Sequence, residues 1–482
     1  MIPFSSSASV TPGYLDAVKS SAILDGKLLS VEHVTDPDFP DAEKTIANVP
    51  PRMAAKVLLQ PAIGSNIQVE IWLPDTGAWN GRFVGLGNGG AAGSIHPTGF
   101  IGWLRQGYAV ASTDMGTAPN DNSGVGNPEV WKDFGFRATH LMTATAKQLI
   151  RAYYGKEPEY SYFVGGSTGG QQALQEAQRY PEDYDGIIAN IPAHCRTPLH
   201  AYFLWNYQIV HRCPFTPEQD RNIMAAGIEY MASREIPQLS GKAISDPRCN
   251  EADIEEVIRL AMKKDPSLTQ THADALRKIF NGPVNSAGER IFDGVPFGSS
   301  LLAATGNLYL FRWAFGAGKD LDTVNFDSDM DTYTRTLGPY LNAENPDLSA
   351  FEKRGGKLIM ISGSADSVVP YHATLDYYER CSKQVGTLER LEKFFVFYIV
   401  PGMEHGINGI PDPFPLLVNW REHGVPPGVI RLHRQYAEET VDIPLYPYPG
   451  KTGYKTGIGF FPEQGARGVL PVAGRFLPAA CE

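Results

Sequence analysis

Apolar and polar residues alternate through NIQVEIWLP (66–74), and GRFVGLG (81–87) follows as a second short run, so both read as strands. Five later runs have a different pattern: GYAVASTD (107–114), YSYFVGG (160–166), DGIIANIP (185–192), KLIMISGS (357–364) and KFFVFYIVPG (393–402). They are continuously apolar, as parallel strands buried on both faces are. Helical patterns lie between them at FRATHLMTATAKQLIRAYYG (136–155), GQQALQEAQRYP (170–181) and YHATLDYYERCSKQVG (371–386). This alternation implies an α/β protein with a doubly wound, mostly parallel sheet.

From about Cys195 to about Gly355 the strand rhythm stops. TPEQDRNIMAAGIEYMAS (216–233), NEADIEEVIRLAMKK (250–264) and LTQTHADALRKIFNG (268–282) read as helices there. Because the sheet resumes at KLIMISGS, residues 195–355 are expected to be a largely helical lid inserted into a core made of 1–194 and 356–482. The Pro-, Gly- and Tyr-rich stretch DIPLYPYPGKTGYKTGIGFFPEQG (442–465) reads as irregular structure packed on that core.

Composition narrows the function. Of 482 residues, 43% are hydrophobic and 20% charged, as in a soluble globular protein. A formal charge of −11 argues against a nucleic-acid backbone as partner. No apolar run is long enough to span a bilayer, so no membrane partner is expected. The N-terminus MIPFSSSASVTPGYLDAVKSS lacks the basic and apolar regions of a secretory signal. The five cysteines (195, 213, 249, 381 and 481) are scattered, odd in number and without CxxC spacing. They make neither a disulfide scaffold nor a zinc site, and a reducing cytoplasm is expected.

Three glycine-rich readings compete. A Walker loop at GGSTGGQQ (165–172) fails because it has no Lys before Ser167 or Thr168. GLGNGG (85–90), with Asp114 ending the next strand, matches a dinucleotide fingerprint. The residues that follow, AAGSIHPTGF (91–100), contain Gly93, Pro97 and Gly99, so no helix can open at the third glycine. No cofactor is expected. The third reading is a nucleophile elbow: Gly165-Gly166-Ser167-Thr168-Gly169 is GxSxG between a strand and a helix. GxSxG alone also fits an ordinary strand–helix turn, so the discriminating feature is an acid and then a histidine on later strand-end loops. Asp366 follows KLIMISGS, and His405 follows KFFVFYIVPG. Among the histidines after Asp366, only His405 lies in a short Gly-rich loop directly after a strand; His372, His423 and His433 read as surface or packing residues. His405 would take the Ser167 proton, and Asp366 would hold the imidazole tautomer. Backbone N–H groups of Thr168 and of Gly89 or Gly90 in the early glycine loop would receive an oxyanion.

WNGRFVGLGNGGAAGSI, GGSTGGQQALQEAQRYPEDYDGIIANIPA, SGSADSVVPYHATLDYYERC, PGMEHG and IPLYPYPGKTGYKTG together resemble the tannase and feruloyl esterase family. The resemblance runs from about Trp79 to about Gly457. It implies an α/β-hydrolase core with a lid between the nucleophile and acid strands, hydrolysis of aromatic carboxylic esters, and the triad Ser167, Asp366 and His405. It also implies an oxyanion hole from Thr168 and one of Gly89 or Gly90. Family members commonly join cysteines that flank the serine and the histidine; Gly166 and Gly406 stand there in this chain. The family's calcium loop corresponds to EYMASREIPQLSGKAISDPRC (229–249), which lacks repeated Asp–Gly pairs, so no metal is expected.

NLYLFRWAFGAGKD (307–320) offers Phe311, Trp313 and Phe315 as an aromatic pocket wall and Arg312 for a substrate carboxylate, though aromatics in a helical lid more often pack in the core. The function expected is a serine esterase acting on a small aromatic or phenolic ester. The alternatives are an acyltransferase or peptidase with the same triad, or a silent binding protein on the same fold.

Overall fold

The continuously apolar runs form the centre of a nine-stranded sheet in the computed structural model, which describes residues 12–41, 44–234, 250–400, 402–406, 410–436, 439–448, 451–455 and 459–463. In chain order the strands are β1 (Gly26–Val34), β2 (Arg52–Leu59), β3 (Ile67–Pro74), β4 (Arg82–Leu86), β5 (Ala109–Thr113), β6 (Tyr160–Gly166), β7 (Gly186–Asn190), β8 (Lys357–Gly363) and β9 (Phe395–Val400). Across the sheet they run β1-β2-β3-β5-β4-β6-β7-β8-β9. β1, β2, β3 and β5 pair antiparallel, and every pairing from β5 to β9 is parallel. All five residues of β5 and of β7, and all six of β9, are buried.

Register brings the C-terminal ends of the parallel strands to one edge. Gly166 stands opposite Asn190, Asn190 opposite Ile361, and Gly363 opposite Val400. Ser167, Asp366 and His405 leave the sheet at this edge, one, three and five residues beyond their strands.

The helices follow the sequence patterns: α1 (Ala138–Tyr154) and α2 (Thr168–Arg179) between strands, then α3 (Arg196–Arg212), α4 (Pro217–Arg234), α5 (Glu251–Lys264), α6 (Gln270–Asn281), α7 (Tyr309–Phe315) and α8 (Ser328–Leu341) between β7 and β8. Helix α9 (Tyr371–Val385) separates β8 from β9, and α10 (Phe414–His423) follows β9. Asn250 and Asp253 close a capping box at the start of α5. Val257, Leu276, Ile279, Phe297 and Leu301 belong to an apolar cluster separate from the one under the sheet. In contrast, Tyr309, Phe311, Trp313 and Tyr333 join the cluster under the sheet.

Two departures from the sequence reading stand out. β1 and β2 were not evident, because Lys27, Ser30, Glu32 and His33 interrupt the apolar positions of β1, none of whose residues is buried, and the exposed Lys56 interrupts those of β2. The C-terminal stretch is not simply irregular. Ile430–Tyr436 pairs with Glu439–Leu445, and Lys451–Lys455 with Gly459–Glu463, in two antiparallel hairpins. Most of the stretch matched to the family's calcium loop (235–249) lies outside the described residues, as do Cys249 and Cys481. Among the described residues, no helix is long and apolar enough to cross a membrane.

Candidate active site

Ser167 occupies a backbone conformation that non-glycine residues rarely adopt, with φ 56° and ψ −113°. Such a position costs roughly 1–3 kcal/mol and persists only where the surroundings enforce it. Here the Ser167 N–H donates to Asn190 O (3.0 Å), and the Ser167 carbonyl accepts from Gln171 N (3.1 Å) and Ala193 N (3.0 Å). The turn leaves no room at its flanks. A Cβ on Gly165 would lie 2.3 Å from Gly169 O, and one on Gly87 would lie 2.6 Å from Gly169 Cα. The start of α2 is also tied to the glycine loop, because Gly169 N donates to Asn88 O (2.7 Å).

His405 Nδ1 lies 2.9 Å from Asp366 Oδ2. Asp366 is fully buried, and its Oδ1 accepts from the N–H groups of Val368 and Val369, each at 2.8 Å. Both carboxylate oxygens are therefore fixed. Burial lowers the His405 pKa, but the charge of Asp366 and its hydrogen bond outweigh that effect and raise it above the ordinary histidine value. The histidine loop lies flat across the end of β8: Ser364 N donates to Val400 O (3.0 Å), Gly402 N to Ser364 Oγ (3.0 Å) and Ala365 N to Met403 O (3.2 Å).

Ser167, Thr168, Gly90 and His405 border one cavity of about 280 Å3, with Ala193, Leu199, Phe203, Val368 and Val369 as its apolar wall and Arg196 and Asn307 as its other polar groups. No hydrogen bond joins Ser167 to His405; in empty sites such bonds are often long and tighten when substrate binds. The Thr168 hydroxyl donates to Gly90 O (2.6 Å) and accepts from Arg196 Nη2, which clamps the serine turn to the glycine loop. The N–H groups of Thr168 and Gly90 meet no acceptor among the described residues. Gly89 is next to this position in the chain but does not border the cavity.

Phe311, Arg312 and Trp313 are placed elsewhere. Phe311 is fully buried and stacks on Tyr333 (4.3 Å), and Trp313 meets Phe134 edge-on (5.3 Å) while its Nε1 donates to Asp121 O (2.6 Å). Arg312 pairs with Asp121 (2.6 Å). The aromatic face of α7 is used in the core, so these three residues line no part of the cavity. Its wall comes instead from α3 and the loop after β8. Sequence reasoning missed Arg196, Leu199, Phe203 and Asn307. A signal was available for Arg196, which opens the first helix after β7, at the edge of the sheet that carries Ser167.

Cys195, Cys213 and Cys381 carry free thiols. Burial pushes Cys195 far above the usual thiol range and Cys381 up to about 12, so neither is a nucleophile. A Cβ on Gly166 would meet nothing nearer than 3.7 Å, so space alone does not require glycine there. Gly406 has φ 146°, which side chains seldom adopt.

Known proteins agree with this architecture. The family model for tannase and feruloyl esterase matches residues 55–320 and 302–460. An uncharacterized esterase of Xanthomonas campestris is 31% identical over 399 residues, which is 73% of this chain and 68% of that one. A probable feruloyl esterase of Arthroderma benhamiae is 26% identical across 82% of this chain and 81% of its own. Among solved structures, feruloyl esterase B from Aspergillus oryzae superposes with a TM-score of 0.79 at 21% identity, covering 93% of this chain and 100% of that one. Tannin acyl hydrolase from Aspergillus niger gives 0.75 at 20% identity, covering 94% and 95%. The chain belongs to the tannase and feruloyl esterase family and is a carboxylic ester hydrolase of the α/β-hydrolase fold.

Proposed function

We propose that the chain hydrolyses small aromatic or phenolic esters through an acyl-enzyme on Ser167. His405 Nε2 takes the Oγ proton as Oγ attacks the ester carbonyl, then delivers it to the departing alkoxide or phenoxide. A water activated by the same nitrogen releases the acid. Asp366, accepting from Nδ1–H, holds the tautomer and stabilises the imidazolium, and the raised His405 pKa agrees with that role. The N–H groups of Thr168 and Gly90 receive the oxyanion, with Gly89 shaping the loop that carries Gly90. The observation that carries this reading is that a strained Ser167 and an Asp366-bonded His405 border one cavity.

The aromatic acyl preference rests on the apolar wall of Leu199, Phe203, Val368 and Val369 and on relatives named as feruloyl esterases. Residues 195–355 act as the lid over this site, with α3 supplying Leu199 and Phe203. The free thiols of Cys195, Cys213 and Cys381 support a reducing, cytoplasmic setting. The test is a panel of ferulate, gallate and aliphatic esters assayed with wild type, Ser167→Ala and His405→Ala. Each variant should lose turnover by several orders of magnitude, and the aromatic esters should lead. Near-normal turnover in either variant would reject the triad; a preference for aliphatic esters would reject the acyl assignment alone.

A further inference from the structure

Arg196 is a cation buried beside Ser167 with no anionic partner among the described residues. Its residue is 4% exposed and borders the cavity. The guanidinium lies over the Phe134 ring (5.3 Å), Nε donates to Gln171 Oε1 (2.5 Å), and Nη2 donates to Thr168 Oγ1. Both acceptors are neutral. Among the described residues, no carboxylate forms an ion pair with Arg196, and no acceptor takes Nη1. A guanidinium has five N–H donors in a planar fork, so three remain unused here. Arginines this deeply buried are ordinarily paired with an anion, because desolvating a charge is expensive.

The positive field is felt nearby. His200, one turn along α3, is held neutral by burial and by Arg196. Among the described residues no carboxylate borders the cavity, and Asp366 lies behind His405, committed to Nδ1 and two backbone N–H groups. Among the described residues the partner is missing, and the cavity leaves the guanidinium open to an anion from solution.

We propose that Arg196 is a specificity residue that binds a carboxylate on the substrate, so that the preferred substrates are half-esters: esters with an apolar body and one free carboxylate. The apolar wall receives the body, and the open edge of the guanidinium receives the carboxylate in the two-pronged geometry that suits it. A carboxylate docked there lies beside the scissile carbonyl rather than at the lid surface, which limits the acid to a compact one. This inference rests on the Ser167 esterase reading.

The test compares pairs of ethyl esters of compact aromatic and aliphatic acids that differ only in carrying a free carboxylate or a primary carboxamide. Wild type should favour the carboxylate member of at least one pair by about tenfold or more in kcat/KM, expressed in KM, since charged hydrogen bonds have that scale. In Arg196→Gln the carboxylate-to-carboxamide ratio should fall toward one, and Arg196→Lys should restore it in part. The ratio is internal to each protein and does not depend on the fraction that folds. No carboxylate preference in wild type overturns the proposal even if neither variant folds. An unchanged ratio in Arg196→Gln, with both members slowed equally, also overturns it and leaves Arg196 as a positioning residue for Thr168. If wild type turns over none of the esters and Ser167 reacts with no active-site phosphonate, the esterase reading fails and this proposal with it. Turnover through Ser167 without charge preference removes the Arg196 assignment alone.

Discussion

The histidine loop has no disulfide to the serine turn, and its position depends on Gly363. A Cβ added to Gly363 would lie 2.0 Å from Met403 O, 2.7 Å from Met403 C and 3.0 Å from Met403 Cβ. Real Cβ contacts do not fall below 3.0 Å, so in Gly363→Ala the Met403 peptide must withdraw by about 1 Å. Met403 is two residues before His405, and its carbonyl also accepts from Ala365 N. The withdrawal carries the imidazole away from Ser167. A misplacement of ~1 Å lowers a rate about a hundredfold, equivalent to about 2.7 kcal/mol of barrier. Steady-state kinetics with p-nitrophenyl acetate should show this fall in kcat, with KM nearly unchanged because Leu199 and Phe203 do not move. Gly166→Ala is the control: its Cβ meets nothing nearer than 3.7 Å, and it should keep kcat within a few-fold of wild type. If Gly363→Ala folds normally and retains kcat within about threefold, the contact with Met403 does not position His405 and the argument is wrong.

Three further outcomes are expected. Neutral His405 is the working base, so activity falls as pH drops through its raised pKa, with an acid limb above the ordinary histidine value near 6.5. Asp366→Asn removes what raises that pKa and leaves burial, which lowers it; the limb should move to lower pH in a pH–rate profile while kcat falls by roughly 10⁴. Ser167→Gly relieves the positive φ and should raise stability by about 1 kcal/mol, whereas Ser167→Ala should not; thermal unfolding distinguishes them. Dithiothreitol and EDTA, applied separately, should leave activity unchanged; a loss with dithiothreitol would reveal a disulfide that matters, and a loss with EDTA restored by calcium would reveal a metal.

The legible features were those with a local cause. Parallel strands must be apolar on both faces, so β5 to β9 announced themselves, and GxSxG followed by strand-end Asp366 and His405 needed only chain order. The antiparallel β1, with no buried residue, and β2, interrupted by Lys56, gave a weaker signal. The cavity wall was not legible, because whether a helix turns its aromatics toward the core or the site is settled by tertiary packing. Phe203 and Phe311 look alike in sequence: Phe203 borders the cavity, while Phe311 stacks on Tyr333. The role proposed for Arg196 rests on the absence of a carboxylate partner among the described residues, which only the folded structure reveals.

The central claim, that Ser167 is the nucleophile, is tested most directly by a fluorophosphonate that labels activated serines, followed by peptide mass spectrometry. The account predicts one phosphonylated peptide carrying the adduct on Ser167, formed in step with loss of p-nitrophenyl ester turnover and absent from His405→Ala. Full turnover after complete labelling, or an adduct on another serine that tracks the loss, would contradict it.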